Sequence, residues 1–551
     1  MGIRMKYPLK MMLALLGLLP GYSAAADTDS ALSAPMLGLY PGSEFRLAKG
    51  ECTDCGPNRQ TLWYFENESI AIPREAGRIT SYNPGLNAQQ DIAQWMQNAD
   101  SAASLPAAIW LGSPSLLRHV RLSDHHHAMR LPSGEQRPFT VVPKIPTNLS
   151  YLNQSSWDFY SARALSLRGE TGPKNMFTAR TIWPMDYTIT PQGIQPLQQD
   201  ESLQTLVQAN QGGAQTPYAT RVLWQRNPES TQSWEGHAAI GIMLNGAQGD
   251  DDEAHGGHFA ILTGQVGAQG DWSQWLVNNF YNLDAYGEKG IIAAITPADK
   301  YLMDLNSGQS LYRPSYMLVA ILKQPDLALQ YQAASNRVYQ HFYRHDFIYE
   351  HAAANCAGIS IDTFRTLGWN IPMRGPEGYA KAIAAWFYVA ITEKSLDAGR
   401  KIYDYLTEEK TRLYPAVAFD AMGHDLLEMV NNPTRPRSPY EQALAAEIEA
   451  IVYVHIPQVP TERAFGQAPV YSFDQYLAQA PADRKDWKIL PTTPRPFPEA
   501  LKDGTALEQH DTSPIPWTVG LLIAIVMSAS IMITRWLTNA YVSRRRRNPL
   551  T

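Results

Sequence analysis

The chain has 551 residues, 46 Lys and Arg against 52 Asp and Glu, a formal net charge of −6, 44% hydrophobic residues and three cysteines. The mild acidity argues against a nucleic-acid partner, which would call for a basic surface, and so few cysteines exclude a disulfide-built scaffold. Length and apolar content allow two or more domains with cores of their own.

At the N-terminus, Arg4, Lys6 and Lys10 lead into the apolar run MMLALLGLL and then YSAAAD. That order predicts a secretory signal peptide over residues 1–26, cleaved near Ala26 with Ala24 and Ala26 at the small-residue positions. Residues 27–215 read as a β-rich N-terminal domain. LWYF, SIAI, AAIWL and FTVV are short apolar or alternating runs between turn-formers, interrupted by one helix at AQQDIAQWMQ. Within this part, Cys52 and Cys55 are expected to form a local disulfide in an oxidising compartment. Gly56 stands where a haem-attachment motif needs histidine, and no second CxxC completes a zinc site. A cycling redox pair is the alternative reading. His125, His126 and His127 after Asp124 are expected in a solvated loop, so no metal and no cofactor are expected.

Residues 216–372 form a second unit. Its strands are ATRVLWQ, GHAAIGIML, GGHFAILTG, QWLVNNFYN and YMLVAIL, followed by a helix over LALQYQAASNRVYQHFYR and a second helix beginning at Cys356. The loop GAQGDDDEAH joins the two histidine-bearing strands as a hairpin, and Asp250, Asp251, Asp252 and Glu253 are expected at its charged tip. Residues 373–456 read as a helical extension and 457–514 as a proline-punctuated stalk. From Ile515 to Thr534 the chain carries no charge, over a length suited to a hydrocarbon core. Trp517 and Trp536 lie near its ends, and Arg535 and Arg544 to Arg547 follow. The expectation is one transmembrane helix at 515–537 and a basic cytoplasmic tail at 538–551, with the bulk in the periplasm of a bacterial inner membrane.

Cys356 is the residue most suggestive of chemistry. Asn355 before it can cap a helix, Gly368 can close it, and Ala357, Ile361, Phe364 and Leu367 recur at helical spacing. Cys356 therefore falls in the first turn, where the helix dipole favours a thiolate. The competing reading is a small buried apolar residue. A nucleophilic cysteine needs a base and the base an orienting group. His237 and His258 each stand near the start of a strand and are expected to present a base and an orienter on one face, with His237 preferred as base. If His258 is the base, the third member comes from LVNNFYN, as Asn278 or Asn279.

Gly236-His237-Ala238-Ala239-Ile240, then His258, then Asn355-Cys356 resemble the permuted NlpC-like branch of papain-fold thiol hydrolases, which includes the lecithin–retinol acyltransferase type. In that branch a GHxxI strand comes first, a polar residue on the next strand second and the cysteine helix last. The resemblance covers about 216–370. It implies an α+β architecture with a permuted papain-like domain, and a thiol hydrolase or acyltransferase acting on cell-wall peptide amides or lipid-linked acyl groups. The alternative is a non-catalytic scaffold or binding component of an envelope complex.

Overall fold

Apolar runs from the middle of the chain pair into a sheet covered on both faces. The computed structural model describes residues 86–97 and most of 110–479, with the strand segments 47–48, 62–65 and 68–71. The chain begins with β1 (Leu47–Ala48), β2 (Leu62–Phe65), β3 (Glu68–Ala71), α1 (Ala88–Met96) and β4 (Trp110–Gly112). Next come β5 (Ser115–Leu122), β6 (Ala128–Arg130), β7 (Gln136–Val141), α2 (Gln154–Ser161), β8 (Leu165–Thr171) and β9 (Phe177–Pro184). The middle holds α3 (Leu203–Gln208), β10 (Ala219–Gln225), β11 (Ala238–Asn245), β12 (His258–Gln265), β13 (Leu276–Asn282), β14 (Ile291–Pro297), α4 (Ala298–Met303), α5 (Gln309–Tyr312), β15 (Ser315–Leu322), α6 (Asp326–Tyr343) and α7 (Cys356–Leu367). It is followed by α8 (Tyr379–Thr392), α9 (Leu396–Thr407), α10 (Lys410–Leu413), α11 (Pro415–Asn431), α12 (Pro439–Glu447), β16 (Ile448–Ile456) and α13 (Phe473–Gln479).

The described strands form an 11-stranded sheet in the order β1-β2-β3-β4-β14-β13-β12-β11-β15-β16-β10, and β5-β6-β7-β9-β8 close a barrel. Successive strand side chains point to opposite faces. Accordingly Ile240, Ile242 and Leu244 of β11 enter one core with residues of α6, α7 and α11. Ala239 and Met243 enter the other, with barrel residues and α4. Double coverage explains why β11 and β15 read as unbroken apolar runs, buried at every residue.

The architecture is α+β, and one part of the expected architecture is corrected. Among the described residues no helix is long and apolar enough to cross a membrane. The apolar α8 has 14 residues, about 21 Å at 1.5 Å per residue, against a hydrocarbon core of about 30 Å. The longer α6 carries Asp326, Gln332 and Arg337. The run Ile515–Thr534 lies outside the described residues, as do the signal peptide, Cys52, Cys55, His125, His126 and Asp250 to Glu253.

Two boundaries also differ from the sequence reading. The span read as a helical extension ends in β16, which pairs antiparallel with both β15 and β10. The span read as a separate N-terminal domain contributes β4 to the main sheet beside β14, and α1 to its helical face.

Helix α1 is held by a buried ion pair. Asn87 and Gln90 form a capping box at its start. Asp91 then meets Arg337 of α6 at 2.8 Å from Nε and 2.5 Å from Nη2, with His341 Nε2 at 3.1 Å. Burial alone would raise the Asp91 carboxyl, but the hydrogen bonds from His341 and Arg337 and their charges hold it below its ordinary value. Arg337→Ala strands this buried carboxylate, so stability should fall by about 3–5 kcal/mol. The midpoint of urea unfolding checks this. A shift within error of zero would mean that the pair does not hold α1 to α6.

Candidate active site

Helix α7 begins at Cys356 and ends before Gly368, which adopts the left-handed φ of 109° that terminates helices. The Asn355 side chain accepts from the Gly358 N–H at 2.8 Å and donates to the Leu413 carbonyl at 3.1 Å. Asn355 thus caps α7 and ties its start to α10. Ala357, Ile361, Phe364 and Leu367 are buried as the stripe expected. Cys356 stands at the first helical position with 8% of its surface exposed.

His258 opens β12 and is brought to Cys356. Its Nε2 lies 2.6 Å from Asn279 Oδ1 of β13. In register, Ile261 faces Asn278, so Ala260 lies level with Asn279. Asn279 is therefore a diagonal neighbour of His258 on the same side of the pleat. An amide oxygen on Nε2 fixes the proton there, leaving Nδ1 as the basic nitrogen for the Cys356 sulfur. His258 and Cys356 hydrogen-bond each other and attract as charges.

Burial pushes the Cys356 thiol up. The positive charge and hydrogen bond of His258, with further donation from the Phe259 N–H and the Tyr349 hydroxyl, bring it below the ordinary thiol value. Burial likewise pushes His258 down, and the Cys356 charge, its hydrogen bond and Asn279 together raise it above the ordinary imidazole value, against opposition from Arg313. Both shifts run in the direction that favours a thiolate–imidazolium pair over the neutral thiol and imidazole.

His237 is not part of this site. Antiparallel pairing sets Ala238 opposite Gln265 and Asn245 opposite His258. His237 therefore lies at the far end of the hairpin, eight residues along from the level of His258, or about 27 Å at roughly 3.4 Å per residue. Its Nδ1 sits 3.2 Å from the Trp234 carbonyl oxygen. Two histidines at the starts of antiparallel neighbours must lie at opposite ends of the strand pair, and this corrects the expectation that His237 is the base. Asn278 is also corrected. Across the pleat from Asn279 it faces α6, where Gln332 donates to its Oδ1 at 2.7 Å and its Nδ2 reaches Gln332 Oε1 at 3.1 Å, so it lines the pocket beneath Cys356 and does not hold His258.

The sequence reading missed three residues around the pair. The Cys356 N–H donates to the Tyr349 hydroxyl at 3.2 Å, so this phenol touches both the backbone and the sulfur of Cys356. The Tyr301 ring lies 6.1 Å from the His258 ring, its hydroxyl donating to Asn245 Oδ1 at 2.5 Å. Asn245 in turn donates to Ser315 Oγ at 2.7 Å. Asn245 is signalled only as the polar end of an apolar strand, and the tyrosines carry no spacing signal. Beneath Cys356 a narrow pocket between Phe259, Phe280, Tyr331, Tyr339 and Ser360 holds little more than a water molecule. Among the described residues no group of three His, Cys, Asp or Glu side chains converges as a metal site.

No family model, no curated protein and no solved structure matches this chain. The chemistry must be read from the side chains themselves. A thiolate beside an imidazole oriented by an amide can perform nucleophilic acyl chemistry. It needs no metal ion to activate the nucleophile.

Proposed function

We propose that the protein is a cysteine hydrolase or acyltransferase of the bacterial envelope, acting on an amide or ester through a permuted papain-like arrangement. The observation that carries this reading is the contact of Cys356, at the start of α7, with His258, itself held by Asn279. The chain order of a histidine strand, an asparagine strand and a later cysteine helix agrees with it. The envelope setting rests on the exported character of the N-terminal sequence.

In the proposed reaction the Cys356 sulfur attacks the carbonyl carbon and the carbonyl π pair moves to oxygen. The Phe259 N–H and the Tyr349 hydroxyl, which donate to the resting thiolate, are the donors nearest the developing oxyanion as the sulfur loses its charge. Collapse of this adduct breaks the bond to the leaving amine or alkoxide, which takes its proton from His258. An S-acyl enzyme remains. Water, or an acceptor alcohol or amine, then gives its proton to His258 as it attacks and releases the thiolate.

The scaffold alternative draws support from the low exposure of Cys356 and the narrow pocket below it. Trapping the acyl enzyme separates the two readings. The full chain mixed with p-nitrophenyl acetate and quenched in acid should gain one acetyl group, mapped to the Cys356 peptide. Cys356→Ser should show neither adduct nor p-nitrophenol burst. A wild-type protein that stays unacylated, or acylates equally with serine at 356, would defeat the enzyme reading.

A further inference from the structure

Helix α8 is apolar on its outer face. Ala382 is its one buried residue, whereas Tyr379 is 63%, Ile383 50%, Tyr388 70% and Ile391 72% exposed. Ala380 and Ala384 complete a stripe at helical spacing, all of it facing solvent. Its one charged side chain, Lys381, reaches Asp474 of α13 at 2.7 Å. The other side of α8 packs on α9, close enough at Gly399 that an added Cβ would stand 2.9 Å from the Ala390 Cβ. The hairpin therefore presents an uncovered apolar helix, a feature that monomeric soluble surfaces avoid.

We propose that this face of α8 docks on a lipid surface, lying in the headgroup region without crossing it. Its length of about 21 Å is too short to span, and it suits a helix lying in the interface plane. Tyr379 and Tyr388 place amphipathic rings on the face, as interfacial segments do. One helix face about 10–12 Å wide falls well short of the ~800 Å² that each partner of a stable protein complex contributes. A bilayer needs no such complementary area. The path of the chain points the same way. α13, the last described helix, is joined to α8 through Lys381 and Asp474, and beyond it the sequence continues to the charge-free run Ile515–Thr534 and its arginines. This inference does not depend on the thiol chemistry.

The test uses the full chain in phosphatidylethanolamine–phosphatidylglycerol vesicles containing a phospholipid with a diazirine in its acyl chain. After irradiation, trypsin releases residues 382–394 as one peptide, because Lys381 and Lys394 bound it. That peptide should carry lipid adducts, and the peptide holding the exposed polar turn 432–434 should not. Ile383→Glu with Ile391→Glu, both exposed positions, should cut the adduct yield about ten-fold or more. Equal labelling of the two peptides would overturn the proposal. So would an unlabelled 382–394 peptide in a chain that sediments as a dimer, which would assign the face to a second copy.

Discussion

Replacing His258 by alanine is expected to slow alkylation of Cys356 by iodoacetamide about 30- to 100-fold at pH 7, and to lower acyl-transfer turnover about 10²–10⁴-fold. The two magnitudes differ because the two measurements use different properties of the imidazole. Alkylation reads the thiolate fraction, and an ordinary thiol is only a few per cent ionised at pH 7. Burial would hold Cys356 still higher once the imidazolium is gone, leaving the Phe259 N–H and Tyr349 hydroxyl as its remaining support. Turnover loses, in addition, the proton delivered to the leaving group. His237→Ala should change neither rate, because its ring is at the other end of β11. Asn279→Ala should fall between them, since the imidazole remains but its Nε2 has lost the acceptor that sets its tautomer. Equal losses for His237→Ala and His258→Ala would point to a general disturbance of the hairpin. No loss for His258→Ala would end its role as base.

How far the site was legible follows from the kind of information each feature needs. The start and end of α7 were readable because capping is local: Asn355, Cys356 and Gly368 fix their roles within a few residues. Helix α1 was readable for the same reason, through Asn87 and Gln90. The hairpin of β11 and β12 was also readable, but the consequence of antiparallel pairing was overlooked. Placing both histidines at strand starts already assigns them to opposite ends of the hairpin. The choice between Asn278 and Asn279 depends on register parity, since a shift of one residue turns a side chain through the sheet. Only the pairing of Ile261 with Asn278 decides it. Strand β16 follows directly on a helix, and its IEAIVYVHI run owes its place to partners about 130 and 230 residues earlier in the chain. No local signal carries such a pairing. Tyr349 and Tyr301 were hidden for the same reason, being ordinary aromatics until the fold brings them to Cys356 and His258.

The pH dependence of the reaction should show the pair titrating apart. Cys356 loses its proton below the ordinary thiol value and His258 keeps its proton above the ordinary imidazole value. The opposed shifts widen the pH range in which thiolate and imidazolium coexist, and acylation should be fastest in that range. On the acid side the rate falls as the sulfur is protonated, at a pH below the ~8.5 of a free thiol. On the alkaline side acyl transfer falls as His258 loses the proton meant for the leaving group, at a pH above the ~6.5 of free imidazole. Alkylation needs no such proton, so it should show the acid limb alone and stay high in alkali. Asn279 helps to raise His258, so Asn279→Ala should move the alkaline limb of acyl transfer to lower pH, whereas Asn279→Asp, which adds a negative charge beside the ring, should move it higher. In His258→Gln the alkylation limb should shift upward, past the ordinary thiol value, because burial of Cys356 is then opposed only by neutral donors. Stopped-flow alkylation and acylation across pH 4–10, on wild type and the three variants, read these limbs. A wild-type alkylation midpoint at or above that of a free thiol would mean that Cys356 is an un-ionised core residue, and the acyl-transfer mechanism would then lose its nucleophile.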